Sequence, residues 1–162
     1  MNPFTQNVKD EMVRYFRHLG SRVERAVRSL PQDKLWVKPF PFGNSLGHLV
    51  LHLTGNLNHY VGHGIAGTDY VRNRPLEFTD PSQPPAPQVL QRFGEAIDLV
   101  VRTIEGMSEQ DFLRPTIDPD RHPIQTHFGL LLVCAAHLNN HIGQMAYLVQ
   151  AQGHSTQEPP VW

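Results

Sequence analysis

Apolar residues recur along the chain at intervals of three and four, and they do so in stretches that contain no proline. Phe4, Val8, Met12, Tyr15, Leu19, Val23, Ala26 and Leu30 form the first such series, the spacing of one buried stripe on a helix. Proline disrupts a helix interior by about 3 kcal/mol, so the gaps between prolines mark where long helices are permitted. Four windows are free of it, 4–30, 42–74, 88–114 and 124–158. In the second, Asn44 or Ser45 can cap a helix with Leu46, Leu49, Val50, Leu53, Leu57, Tyr60 and Val61 on its apolar face. The third carries Leu90, Phe93, Ile97, Val100, Val101 and Ile104 and stops at Gly106, and the fourth runs from about Thr126 to Gly153. No segment alternates with the period of two that marks a strand.

The pattern therefore predicts an all-α fold, a four-helix bundle with a long crossover between helix pairs, occupying 1–162 as a single domain. The stretch from Tyr70 to Pro87, rich in Pro, Arg, Asp and Gln, reads as that crossover. A weak internal echo supports the pairing. LPQDKLWVKP at 30–39 follows the first helix much as MSEQDFLRP at 107–115 follows the third, which would place the second and fourth helices in equivalent roles.

Composition narrows the function. A net charge of -1 over 162 residues provides no positive field for a phosphate backbone, so no nucleic-acid partner is expected. No apolar run approaches the roughly 18 residues needed to span a membrane, so no membrane partner is expected either. MNPFTQNVKDEMVRYF lacks a basic leader followed by an apolar stretch, which points to a cytoplasmic location. The single cysteine, Cys134, excludes an intrachain disulfide and a thiolate-rich zinc site. A metal site here would use imidazole and carboxylate, and there are ten histidines.

His137 and His141 lie one turn apart on the flank of the fourth helix's apolar face. Their Cβ atoms are expected about 5 to 6 Å apart, a spacing that lets two imidazoles share one divalent ion. Ordinary half-buried histidines bonded to carbonyls would have the same spacing. Two imidazoles in an apolar stripe are costly to bury without a partner, so the ligand reading stands level with the ordinary one. A third donor would come from the second helix, which offers His48, His52, His59 and His63. The helical wheel turns His52 inward and leaves His48 nearer solvent, with His59 and His63 on a polar face. The helices contain no Glu-x-x-His pair and no HExxH, so neither a di-iron carboxylate centre nor a zinc-protease site is indicated.

HLNNHIGQMAYL at 137–148 resembles the second metal motif of the DinB/YfiT-like family of four-helix bundles, matched by His137, His141, Gly143 and Gln144. NSLGHLVLHLTGN at 44–56 is similar to the family's other motif, in which a His-Leu pair, here His52 and Leu53, supplies the third ligand. His48 is a rival for that role. The resemblance implies a divalent metal held by His52, His137 and His141. It also implies, for some members, transfer or isomerisation assisted by a low-molecular-weight thiol, while many members have no assigned reaction.

A three-histidine set leaves a coordination position open, as catalytic sites do, and the ion would activate a bound water or thiol or polarise a carbonyl. Asn56, Gln144 and His48 are candidates for substrate contact or for supporting the ligands. Cys134 reads as a small buried hydrophobe, and Arg72 and Arg74 as part of a solvated loop, with a place beside the electrophile as the alternative. The leading expectation is a metal-dependent enzyme acting on a small-molecule thiol and an electrophile. The alternatives are a non-catalytic metal-binding or stress-related bundle and a helical interaction module without metal. Three imidazoles suit zinc, nickel, iron or copper, with zinc and nickel placed first. A homodimer is expected as well.

Overall fold

The computed structural model describes residues 2–116 and 124–156. Helix α1 spans Pro3–Arg28. It begins where Asn2 accepts a hydrogen bond from the Phe4 amide at 3.0 Å and Pro3 occupies the first helical position, where its missing N–H has no intrahelical role. Helix α2 spans Leu46–Leu57, capped by Ser45 rather than Asn44, and runs on into a π-helical turn over Asn58–His63. The short α3, Leu76–Thr79, lies in the connection to α4, Ala86–Gly106. Pro87 sits in the first turn of α4, where a proline is tolerated, so this helix starts two residues before the proline-free window. Past Gly106 a reciprocal Ser108 and Asp111 capping box starts the separate helix α5, Glu109–Leu113. Helix α6 spans His127–Ala151, capped by Thr126. No strand occurs among the described residues, and the architecture is an all-α bundle.

Helices α1 and α2 each pack against both α4 and α6, so chain neighbours occupy opposite corners of the bundle. Their directions follow from side-chain meetings. The Lys9 ammonium near the start of α1 donates to the carbonyls of Glu105 and Met107 at the end of α4, at 2.7 and 2.9 Å, so these two helices are antiparallel. Arg22 meets Asn139, and Thr5 lies near Thr126 while Arg28 lies near Gly153, so α1 and α6 are parallel. Gly62 near the end of the α2 unit faces Leu99 late in α4, and Leu51 shares a groove with Arg92 early in α4. Helices α2 and α4 are therefore parallel, and the chain must travel back along the bundle between them. Residues 64–85 do this as a strap across α2, and α3 packs directly on that helix.

Phe16, Leu19 and Val23 of α1, Leu46, Leu53 and Leu57 of α2, Ile104 of α4, and Leu131, Leu138 and Met145 of α6 are fully buried together. Each such side chain stabilises the fold by about 1.5 to 3 kcal/mol relative to exposure. The two connections between diagonal helices are built alike. The Gly47 amide donates to the Leu35 carbonyl, and the His127 amide to the Arg114 carbonyl, both at 2.9 Å.

Candidate metal centre

The antiparallel contact of α2 with α6 brings His52 opposite His137 and His141. One ring nitrogen from each of the three lies within 4.8 Å of the others, and His52 Nε2 faces His137 Nε2 at 3.0 Å. The rings meet edge to face, His137 and His141 with centroids 4.5 Å apart and His52 about equidistant from both at 5.1 and 5.0 Å. His52 is buried and the other two are half-buried.

The groups behind two of these rings set their tautomers. His52 Nδ1 lies 2.8 Å from Glu77 Oε2. Burial alone would raise the Glu77 carboxyl, but hydrogen bonds from His52 and Arg72 and the arginine charge outweigh it and hold the group below its ordinary value. An ionised carboxylate only accepts, so Nδ1 carries the proton and the Nε2 lone pair of His52 points into the cluster. Arg72 Nη2 also lies 3.3 Å from His52 Nδ1, but a guanidinium cannot accept that proton, and its closer contacts are with the carboxylate. Nε and Nη2 reach the two Glu77 oxygens at 2.7 and 2.9 Å. On α6, His141 Nδ1 donates to Gln144 Oε1 at 2.8 Å, which leaves its Nε2 as the acceptor nitrogen. Burial lowers the His141 pKa, so the ring favours its neutral form.

This donor set fits a divalent ion. Imidazole nitrogens bound at 2.0 to 2.1 Å in a tetrahedral site lie about 3.3 Å apart, within the 3.0 to 4.8 Å span seen here. A carboxylate behind a ligating histidine is a recurrent support in such sites.

Glu77 and Arg72 were not legible as site residues in the sequence. The strap has no helical period, and no local spacing ties residue 77 to residue 52. Arg72, expected in a solvated loop, has a side chain only 10% exposed because the carboxylate binds it against α2. Its approach depends on Gly55. A Cβ there would lie 2.1 Å from Glu77 Oε1 and 2.8 Å from its Cδ, atoms that cannot move aside without leaving His52 or Arg72. Phe78 adds a ring 4.9 Å from that of His52, and Arg74, exposed, lies over the Phe78 ring at 5.4 Å.

His48 takes no part in the cluster, and its expected position near solvent is corrected. It is 6% exposed, because Trp36 of the α1–α2 connection covers that face of α2 at 5.2 Å. Ser45 Oγ lies 2.7 Å from His48 Nδ1 and also accepts the His48 amide, so His48 belongs to the cap of α2. Burial first and the charge of Lys38 second lower its pKa. His59 and His63 stack on each other away from the three imidazoles, and His63 donates to the Thr68 carbonyl at 2.9 Å. Gln144 supports His141 as described. Asn56 is buried one turn beyond His52, and its Oδ1 has no hydrogen-bond partner among the described residues. Cys134 is fully buried and its thiol is pushed up to about 12 by burial, so it is neither a thiolate nor a member of the cluster.

A cavity of about 150 Å³ opens beside the imidazoles, between α2, the strap and α6, with His52 and His137 in its wall. No helix among the described residues is long and apolar enough to cross a membrane.

The sequence matches the DinB superfamily over residues 15–145. The crystal structure of a DinB-like protein from Bacillus cereus ATCC 10987 superposes with a TM-score of 0.67 at 14% identity, covering 94% of this chain and 97% of that one. That likeness is one of fold. No curated protein matches the chain. Helix order and architecture agree with a sequence match over most of the chain's length, and the chain belongs to the DinB superfamily.

Proposed function

We propose that this chain is a divalent-metal-dependent enzyme that adds or transfers a low-molecular-weight thiol to an electrophilic substrate, with His52, His137 and His141 holding the ion. The observation that carries the metal assignment is the convergence of the three rings, with Glu77 and Gln144 directing two acceptor nitrogens inward. Three imidazoles suit zinc, nickel, iron or copper, of which we take zinc or nickel first and iron next. The ion would supply a positive charge that lowers the pKa of a thiol or water beside it or polarises a carbonyl. The chain's own residues do the rest. Glu77 and Gln144 orient the rings, Arg72 fixes Glu77, and the adjoining cavity gives a small molecule access to His52 and His137. The thiol half of the reading rests on the family resemblance together with the open face that three ligands leave.

Elemental analysis of untagged protein tests the metal, with about one ion per chain expected. Cobalt-substituted protein titrated with a panel of cellular thiols tests the chemistry. A sulfur-to-metal charge-transfer band is expected, and its absence across the panel removes the thiol and leaves a non-catalytic metal-binding bundle. We further take the chain to be a single-domain, cytoplasmic homodimer. Sedimentation at micromolar concentration should then give twice the 18.4 kDa chain mass.

A further inference from the structure

We propose that the outer side of α6, with the adjoining flank of α1, packs on the same face of a second copy of the chain about a two-fold axis between Asn139 and Asn140. The inference rests on the homodimer reading above and adds the surface and its register.

Helix α6 contains no Lys, Arg, Asp or Glu in its 25 residues. A helix at the surface of a bundle ordinarily carries charge on the side turned from the core, and one without it belongs in an interior. Yet Leu132, Ala136, Asn140, Gly143 and Tyr147 recur at intervals of three and four along its outer side, and all are exposed, Leu132 by 50% and Tyr147 by 73%. The area is also sufficient. Helices α1 and α6 are parallel neighbours of 26 and 25 residues, each about 38 Å long and about 10 Å wide. Their common outer face measures about 750 Å² by that geometry, close to the about 800 Å² that each partner brings to a standard interface.

Symmetry supplies the register. In an isologous contact residue i meets j and j meets i. Antiparallel α6 helices crossing between Asn139 and Asn140 set Ala136 against the partner's Gly143 and Leu132 against the partner's Tyr147. The small pair lets the backbones approach at the crossing and the large pair closes its ends, while the two amides meet at the axis, where a polar pair fixes register. The same axis suits α1. Thr5 lies level with Thr126 and Arg28 with Gly153, so the midpoint of α6 falls level with Phe16 and Arg17. Glu11 and Arg22 stand equally far on either side of that level, about three turns apart on one flank, and the two-fold sets Glu11 opposite the partner's Arg22. Within one chain Glu11 holds Arg14 and Arg22 meets Asn139, and across the axis their opposite charges complement each other. Parallel packing would set Glu11 on Glu11 and Arg22 on Arg22, which like charge opposes.

Sedimentation of full-length, untagged protein at micromolar concentrations tests this, with circular dichroism to verify helix content. Gly143→Glu lies where a Cβ would meet nothing within 4 Å, so folding is not at stake. It should weaken the dimer at least about a hundredfold by burying an unpaired charge. Adding Ala136→Lys, which stands opposite position 143 of the partner subunit, should restore association to within about tenfold of the wild type. Loss in the single variant and recovery in the double one support the interface and its antiparallel register. A Gly143→Glu protein as dimeric as the wild type, or a double variant no more dimeric than Gly143→Glu alone, overturns this interface and leaves the homodimer reading standing. A wild type that is monomeric throughout overturns both and leaves the face to a different partner.

Discussion

Glu77 grips His52 from the side of the ring opposite the imidazole cluster, its Oε2 2.8 Å from His52 Nδ1 while His52 Nε2 faces His137 at 3.0 Å. One hydrogen bond thereby fixes both the rotation of the ring and the nitrogen offered inward. Glu77→Ala is expected to weaken metal affinity by about 10- to 100-fold, the usual effect of removing such a partner. Glu77→Gln should keep more of it, since the amide oxygen can still accept from Nδ1. Competition against a chromophoric chelator measures both, and an unchanged affinity in Glu77→Ala would contradict the role.

The proposed ligand set predicts a clear division among the histidines. His52→Ala, His137→Ala and His141→Ala should each lose most of the metal, whereas His59→Ala and His63→Ala should retain it, because the latter pair stacks apart from the cluster. Elemental analysis of untagged variants decides this. Full metal content in His137→Ala would refute the assignment.

Gly55→Ala should damage stability and metal binding together. The added Cβ would lie 2.1 Å from Glu77 Oε1, so either the strap lifts or the carboxylate leaves His52. Overpacking of this kind typically costs about 1 to 3 kcal/mol. Urea unfolding of metal-free protein reads the first effect and chelator competition the second, and a variant that matches the wild type in both would show that the strap does not need the notch.

Cys134 should be inert in the folded protein. Its thiol is buried and pushed up to about 12, so the reactive thiolate is scarce at neutral pH. A disulfide-exchange reagent should label it only as fast as the protein opens, and labelling should accelerate sharply in denaturant. Immediate stoichiometric labelling of native protein at pH 7.5 would run against this.

Acid should destabilise the metal-free protein. Burial lowers the pKa values of His48 and His127 below the ordinary 6.5, so between those values the unfolded chain binds more protons than the native one and stability rises with pH. The contribution is fully present above pH 6.5 and is lost as pH falls through that value toward the lowered folded ones; burial of His141 adds in the same direction. Urea midpoints should fall from pH 7.5 to pH 5.5, and by less in His48→Gln. Equal pH dependence in that variant would remove His48 from the account.

The local determinants of this protein are written along the chain. Apolar periodicity, the placing of prolines and the caps at Asn2, Ser45 and Thr126 specify four long helices, because a helix depends on contacts within four residues and on one stripe that must be buried. The i, i+4 spacing of His137 and His141 belongs to the same local geometry, as does the inward turn of His52. What the sequence alone did not determine is everything that depends on one segment lying across another. His48 faced solvent on an isolated wheel, and only the packing of Trp36 onto α2 buried it. The stretch from Tyr70 to Pro87 reads as a crossover, yet its site residues emerged only when parallel α2 and α4 drew that segment back along the bundle and set Glu77 in the notch at Gly55. No periodicity encodes such a meeting, since His52 and Glu77 stand 25 positions apart on two different helices and only tertiary packing sets the distance between them.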